Sequence, residues 1–381
     1  MRLKVLHITS TPCGISGVEN LLISMSRNYN RNKYQFIFCN IFADCKKEQS
    51  FPNEIRESGD EIINLFGSSY REAAVIFYKL LKIIKYKKVD IVHTWMFHSN
   101  FLGQLAAFIL KVRVRIISRQ YKDFLYLCKG KSEQVVDLIS ERLCSHIVAC
   151  SEGVKEHLME VERVQPGRIS VIYNSVDLAK MIADCDAVEQ LKAQFSLNNC
   201  VVVGTIARLY PTKGHRYLLK AINIIKAAHP NLKLLLVGDG PLKSELMRLS
   251  REYSIEKNVL FFGHRTDIPE LLSLIDIVVQ PSLEEGFGIT MIEAMSLEKP
   301  VIGSRVGGIP EVIDDGVTGL LVPPADAEAL ASAISELIKQ SAKRKELGLA
   351  GRARVEKKFT IDVMLEEYEK LYSEAILLTK R

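Results

Sequence analysis

Two carboxylates eight residues apart, Glu285 and Glu293, bracket the turn Gly286-Phe287-Gly288 and the run from Ile289 to Leu297, which reads as a helix. A helix opening presents unpaired backbone N–H groups and the positive end of its dipole, a setting that suits a phosphate. Glu285 would sit beside that anion site, and Glu293 about two turns inside the helix. Carboxylates at two distances from a phosphate suit a nucleotide-sugar: one accepts from sugar hydroxyls, the other from the ribose diol. The competing reading is a capped surface helix with ordinary glutamates. A second pair, Arg208 and Lys213, lies in a loop after an apolar strand that starts at Val201, with Pro211 between them and Gly214 opening the next helix. A planar guanidinium and a compact ammonium together suit a diphosphate; two solvated loop cations are the ordinary alternative.

Both stretches follow strands in the same half of the chain, the carboxylate pair after Ile277-Val278-Val279-Gln280 and Pro281-Ser282. Ligands of open α/β sheets bind at the carboxyl ends of strands, so two phosphate-type signals at that edge reinforce each other. Residues 1–177 alternate apolar runs (Leu3–Ile8, Gln35–Phe42, Glu61–Asn64, Asp90–Thr94, Val114–Ser118, His146–Cys150, Ile169–Ile172) with helical patterns. This rhythm predicts the α/β class with a doubly wound, mostly parallel sheet. A first domain is expected over 1–177, a polar linker over 178–199, and a second β-α series over 200–358.

Arg208-x4-Lys213 followed by Glu285-x7-Glu293 resembles the signature of the retaining GT-B glycosyltransferases of family 4, also called group 1. Gly238-Asp239-Gly240-Pro241, Gly263-His264-Arg265, Val306-Gly307-Gly308-Ile309-Pro310-Glu311 and Asp315-Gly316-Val317-Thr318-Gly319 extend the likeness, which runs over nearly the whole chain and is most specific in its second half. The resemblance implies two Rossmann-like domains facing across a cleft. It implies transfer of a hexosyl unit from a nucleoside diphosphate sugar, UDP favoured over GDP, to an acceptor hydroxyl, without a metal and without a further cofactor. Arg208 and Lys213 would stabilise the leaving diphosphate, helped by the N–H groups of Gly288, Ile289 and Thr290. Gly286 and Phe287 would belong to the same donor loop, Glu285 would hold the sugar, Glu293 the ribose, and His264 and Arg265 would lie towards the base. A sugar-nucleotide 2-epimerase of the same fold and a non-catalytic partner subunit are the alternatives.

In the first half, Cys13-Gly14-Ile15-Ser16-Gly17-Val18-Glu19 resembles the family's glycine loop that faces the donor phosphate, with Ile15 and Ser16 separating Gly14 from Gly17. His98 falls where the family places a histidine against the donor sugar, while His93, ending a strand, is expected to be structural. Arg119, ending Val114–Ser118, is a candidate acceptor contact. The helical pattern from Phe359 to Leu378 is implied to return to the first domain. Asp184-Cys185-Asp186 has the form of a metal–diphosphate motif but sits away from any strand end, and no metal site is expected there.

The composition, 48% hydrophobic and 25% charged over 381 residues, is that of a folded two-domain chain. No run reaches the roughly 18 apolar residues of a membrane span. The eight cysteines show no Cys-x-x-Cys spacing and suit reduced thiols in a cytoplasm. The net charge of +6 comes from the first half, where Lys79, Lys82, Lys85, Lys87 and Lys88 interleave with apolar residues. Such a helix can rest on an anionic membrane surface or pack on a core with a solvated lysine face. With no aromatics interleaved as stacking platforms, nucleic acid is not an expected partner. A cytoplasmic enzyme acting on glycan or lipid-linked acceptors, at the inner face of the membrane, fits these features.

Overall fold

The structure, a computed structural model, describes residues 2–10, 17–43, 53–67, 70–121 and 131–378. The chain divides into two units, Met1–Asn174 with Ile361–Arg381, and Ser175–Thr360.

The first unit holds strands β1 (Leu3–Thr9), β2 (Tyr34–Ala43), β3 (Glu61–Phe66), β4 (Ile91–Thr94), β5 (Val114–Arg119), β6 (His146–Ala149) and β7 (Ile169–Val171). They form one parallel sheet in the order β3-β2-β1-β4-β5-β6-β7. Between them run α1 (Gly17–Asn28), α2 (Asn53–Glu57), α3 (Tyr70–Lys87), α4 (Phe97–Ile109), α5 (Lys131–Leu143) and α6 (Glu152–Glu160). Every residue of β4 is buried, as a central strand covered by helices on both faces requires. The strand order reverses between β1 and β4, which places a topological switch point there. Helix α4 opens at Phe97, where Ser99 Oγ accepts from the Met96 N–H at 3.0 Å.

The second unit holds β8 (Val201–Ile206), β9 (Leu232–Val237), β10 (Val259–Gly263), β11 (Ile277–Gln280), β12 (Val301–Ser304) and β13 (Leu320–Val322) in the parallel order β10-β9-β8-β11-β12-β13. Its switch point lies between β8 and β11, where Ile277 is in register with Val203 and Val278 with Gly204. The helices are α7 (Cys185–Gln194), α8 (His215–Ile225), α9 (Lys243–Glu252), α10 (Ile268–Leu274), α11 (Ile289–Ser296), α12 (Ile309–Val312), α13 (Ala327–Lys339) and α14 (Ser341–Lys358). The polar stretch 178–199 is more ordered than its composition suggests and groups with this unit. Asp184 caps α7 by accepting from the N–H groups of Asp186 and Ala187, which gives Asp184-Cys185-Asp186 a helix-starting role. α7 packs on α10, and Phe195 meets Phe262 with ring centroids 4.5 Å apart.

The last helix, α15 (Ile361–Leu378), belongs to the first unit. It buries Ile361, Met364, Leu365, Tyr368, Leu371, Tyr372 and Ile376 in the core that contains α1, Val5, Ile91, Trp95 and Ile116. Each buried aliphatic there contributes roughly 1.5–3 kcal/mol. Phe359, by contrast, packs on Phe287 (5.5 Å between centroids) in the second unit, so the return begins two residues later than the apolar pattern.

Candidate active site

In the second unit the two loops that carry the charged pairs leave adjacent strands at the β8/β11 switch point. After β8 the chain makes a short 3-10 turn, Pro211–Lys213, and Gly214 turns left-handed (φ 68°) to start α8. A Cβ on Gly214 would lie 1.9 Å from the Pro281 carbonyl oxygen, so the two loops touch backbone to backbone. The Thr212 carbonyl accepts from the N–H groups of Leu283 (2.7 Å) and Glu284 (3.3 Å), stapling them together.

That stapling brings Lys213 to Glu285: Nζ lies 2.7 Å from Oε2 with both side chains largely screened from solvent. The same Oε2 accepts from Ser282 Oγ (3.2 Å) and Gln280 Nε2 (3.3 Å), leaving Oε1 uncommitted among the described residues. Arg208 is exposed and stacks over the Tyr210 ring at 5.1 Å, so its donors remain directed outward, with no carboxylate bound among the described residues. Its loop is held by bonds from the Leu209 N–H to the Asp239 carbonyl and from the Leu242 N–H to the Leu209 carbonyl, which is the work of the Gly238-Asp239-Gly240 segment. Behind Glu285, Gly307 turns left-handed (φ 51°), and a Cβ there would lie 1.7 Å from the Glu285 carbonyl oxygen. The paired glycines Gly307 and Gly308 thus let a second loop pass under the catalytic candidate.

Gly286, Phe287 and Gly288 are buried, and Gly288 (φ 100°) is the N-cap of α11. The N–H groups of Ile289 and Thr290 stand in the first turn, where a helix has no internal acceptors. Thr290 Oγ1 donates to the Ile206 carbonyl at 3.2 Å, tying this helix start to β8. Because α11 begins at Ile289, Glu293 lies one turn inside it rather than two. Its half-buried carboxylate has no partner among the described residues, and burial pushes it up to about 7. His264 is exposed, and Arg265 gives Nε and Nη2 to Asp267, which raises the guanidinium pKa and leaves Nη1 uncommitted among the described residues. Both follow β10, the edge strand two places from β8.

The first unit presents a less complete set. Gly17 opens α1 after β1, and Gly14 lies outside the described residues. His98 is exposed in the first turn of α4, its ring near Phe97 (5.3 Å) and Phe42 (5.6 Å). Both belong to the β1/β4 switch point. His93 is fully buried and neutral, pushed well below the ordinary histidine range by desolvation, with Nδ1 2.7 Å from the Tyr372 hydroxyl and Nε2 2.8 Å from Ser118 Oγ. It joins β4 to α15.

Arg119 departs from the acceptor role expected of it. It is 2% exposed, with Nη1 on Asp137 and Nη2 on both Glu141 and Glu162. Those carboxylates come from α5 and from the segment after α6, so the strand-end arginine is walled in and its guanidinium is held by the fold. Burial first, then the neighbouring Glu162, pushes Glu141 up to about 9. Glu162 goes the other way, to about 2: desolvation pushes it up, but the charge of Arg119 together with hydrogen bonds from His157 and Glu141 pulls it down further. Residues passed over in the sequence include Gln280, Ser282, Tyr210 and His215. His215 is buried beside Lys213, and desolvation followed by that charge lowers it to about 4. A polar residue closing an apolar strand, as Gln280 does, was the available signal.

The model for "Glycosyl transferases group 1" matches residues 187–354, and that for "Glycosyltransferase Family 4" matches residues 15–180. The chain is 28% identical over 306 residues to the capsular polysaccharide biosynthesis glycosyltransferase CapM of Staphylococcus aureus, covering 77% of this chain and 79% of that protein. It is 28% identical over 263 residues to the UDP-Gal:alpha-D-GlcNAc-diphosphoundecaprenol alpha-1,3-galactosyltransferase of Escherichia coli, covering 67% and 68%. The crystal structure of Anabaena HepE in complex with UDP-glucose superposes with a TM-score of 0.86 at 22% identity, covering 98% of this chain and all of that one, a likeness of fold.

Proposed function

Because the chain belongs to the group 1, family 4 glycosyltransferases of GT-B fold, we propose that it transfers a hexosyl unit from a nucleoside diphosphate sugar to an acceptor hydroxyl with retention at the anomeric carbon. The observation that carries this reading is the Lys213–Glu285 pair beside the α11 start and Arg208, at the β8/β11 switch point. Arg208 and Lys213 offer two positive charges to a departing diphosphate, and the Ile289 and Thr290 N–H groups add donors. Charge that grows in the transition state is stabilised there more than charge in the ground state. Glu285 Oε1 accepts from sugar hydroxyls, Glu293 from the ribose diol, and His264 with Arg265 lies towards the base. Glu285 is tied through Oε2 to three donors, which suits a holder of the ring better than a nucleophile. The leaving phosphate then takes the acceptor proton in a front-face attack. With Arg208 and Lys213 as the counter-charges, turnover is expected to survive EDTA.

A UDP-sugar is favoured over a GDP-sugar, in keeping with the UDP-galactose donor of the Escherichia coli relative and the UDP-glucose bound to HepE. The names of the relatives support a role in bacterial polysaccharide, lipopolysaccharide or glycolipid synthesis on a glycan or lipid-linked acceptor. No helix among the described residues is long and apolar enough to cross a membrane. The outward face of α3 carries Val75, Tyr78, Lys79, Lys82, Lys85 and Tyr86, a pattern suited to peripheral contact with an anionic membrane from the cytoplasmic side. Co-sedimentation with anionic vesicles, lost when the three lysines become glutamine, tests that contact.

The donor reading is tested by thermal shift and donor consumption against UDP- and GDP-sugars, with and without EDTA. Stabilisation by one nucleotide class, insensitive to chelator and lost in Glu293→Ala, is expected. No stabilisation by any donor refutes it in favour of a partner subunit, and release of free nucleotide without acceptor refutes it in favour of an epimerase.

A further inference from the structure

Gln280 is the last residue of β11 and is 2% exposed. Its amide nitrogen donates to Ser282 Oγ at 2.8 Å and to Glu285 Oε2 at 3.3 Å, while its Oε1 is buried with no partner among the described residues. The flip is set by the chemistry: turned over, the amide would aim an oxygen at a carboxylate. A buried acceptor left unpaired costs stability, so an apolar residue continuing Ile277-Val278-Val279 would serve the sheet better. What the amide gains is a grip on Glu285.

That grip matters because Lys213 has competing partners. Its Nζ lies on Glu285 Oε2. A diphosphate would draw the ammonium away, and an unsupported glutamate would swing with it or rotate. Ser282 and Gln280 hold Oε2 from the strand side, so the carboxylate keeps its orientation whichever way Lys213 moves, and Oε1 stays turned outward. We infer that Gln280 is a positioning residue for glycosyl transfer, fixing Glu285 Oε2 so that Oε1 meets the donor's sugar hydroxyls while Lys213 turns to the diphosphate. This rests on the assignment of Glu285 to the sugar, and it adds a residue from the sheet interior whose effect is confined to the sugar half of the donor.

The test compares Gln280→Leu, Gln280→Glu and Glu285→Gln in the full chain. Gln280→Leu removes the donor while keeping the volume. Its affinity for free UDP or GDP, which carries no sugar, is expected to stay within about two-fold of wild type, while kcat falls about 10–100-fold as Glu285 loses its alignment. Gln280→Glu sets two carboxyl groups against each other, and they share a proton. Protonated, the new side chain donates to Glu285; ionised, it repels it. The ratio of variant to wild-type kcat/KM is therefore expected to fall as pH rises, a signature that loss of packing does not give. Should Gln280→Leu fail to fold, as judged by its thermal transition, the pH profile of Gln280→Glu decides the matter. The inference is overturned if Gln280→Leu turns over like wild type, if nucleotide affinity and turnover fall together, or if the Gln280→Glu ratio is flat with pH. Glu285→Gln separates the two levels. Wild-type turnover in it sinks the donor assignment itself, whereas a dead Glu285→Gln beside a normal Gln280→Leu sinks only the positioning role.

Discussion

Glu293 should make donor binding depend on pH in the neutral range. Its carboxyl is half-buried on the first turns of α11, without a partner among the described residues, and burial holds it up to about 7. To accept hydrogen bonds from both hydroxyls of a ribose diol it must be ionised. From that value roughly one molecule in eleven is ionised at pH 6 and about ten in eleven at pH 8, so donor affinity should rise ~10-fold across the interval, about 1.4 kcal/mol. A nucleotide-sugar is the right probe because both its phosphates are esterified and neither titrates in this window, unlike the terminal phosphate of free UDP. Isothermal titration with UDP-glucose or GDP-mannose at pH 6, 7 and 8, at constant ionic strength, measures the slope, and Glu293→Gln should remove it. The linkage in the unliganded protein runs the other way. A carboxyl raised in the fold contributes stability that is full below its unfolded value near 4.5 and is lost as pH rises through about 7. Thermal stability without donor should decline over that range, and donor should restore it. An affinity that is flat or falls from pH 6 to 8, or a slope that survives in Glu293→Gln, refutes the ribose assignment.

Replacing Arg119 by Met takes the buried counter-charge from Asp137 and Glu162 and should cost on the order of 3–5 kcal/mol in urea unfolding; a loss below about 1 kcal/mol contradicts the structural role. Glu141→Gln in the same cluster should cost under about 1 kcal/mol at neutral pH, because the glutamate there is already protonated. It should also abolish the stability that wild type loses between an unfolded value near 4.5 and the folded one of about 9. Gly307→Ala should push the Glu285 backbone out of place and lower turnover by about 100-fold at little change in stability beyond ~1–2 kcal/mol; wild-type kcat would show that the two loops are not in contact. His93→Phe keeps a ring but takes the Nδ1 partner from the Tyr372 hydroxyl and leaves Ser118 with Tyr368 alone, and should destabilise by about 1–3 kcal/mol with faster hydrogen exchange along α15.

The alternation of apolar runs and helical patterns was enough to read two parallel sheets, because strands buried on both faces are written as near-continuous apolar runs. What the pattern does not carry is which strands become neighbours. Arg208 and Glu285 are far apart in the chain, and only the reversal of strand order at β8/β11 makes their loops adjacent. Arg119 misled for the complementary reason. A strand-end arginine reads as a ligand-facing cation, and its confinement depends on Asp137 and Glu141, one helical turn apart on α5, and on Glu162 beyond α6. The segment 178–199 reads as a linker because charged and amide residues are scattered all through it, yet Met181, Val188 and Leu197 are buried and Phe195 meets Phe262. Gln280 shows in the sequence only as a polar residue closing an apolar strand, because its role runs through a residue five positions on.

The return of α15 to the first unit has a consequence for how the chain is made. The second unit is continuous, 175–360, and can complete its sheet as soon as it has emerged. The first unit begins earlier and finishes later. Until residues 361–378 leave the ribosome, the face formed by Trp95, His93 and the neighbouring apolar side chains of β1 and β5 has nothing to cover it. Synthesis order and folding order are therefore inverted: the domain translated first is the one that closes last. During that interval a large aromatic surface stays open to wrong partners. Slowed translation after residue 360 should accordingly raise aggregation of nascent chains, while a free peptide spanning α15, supplied in trans, should suppress it.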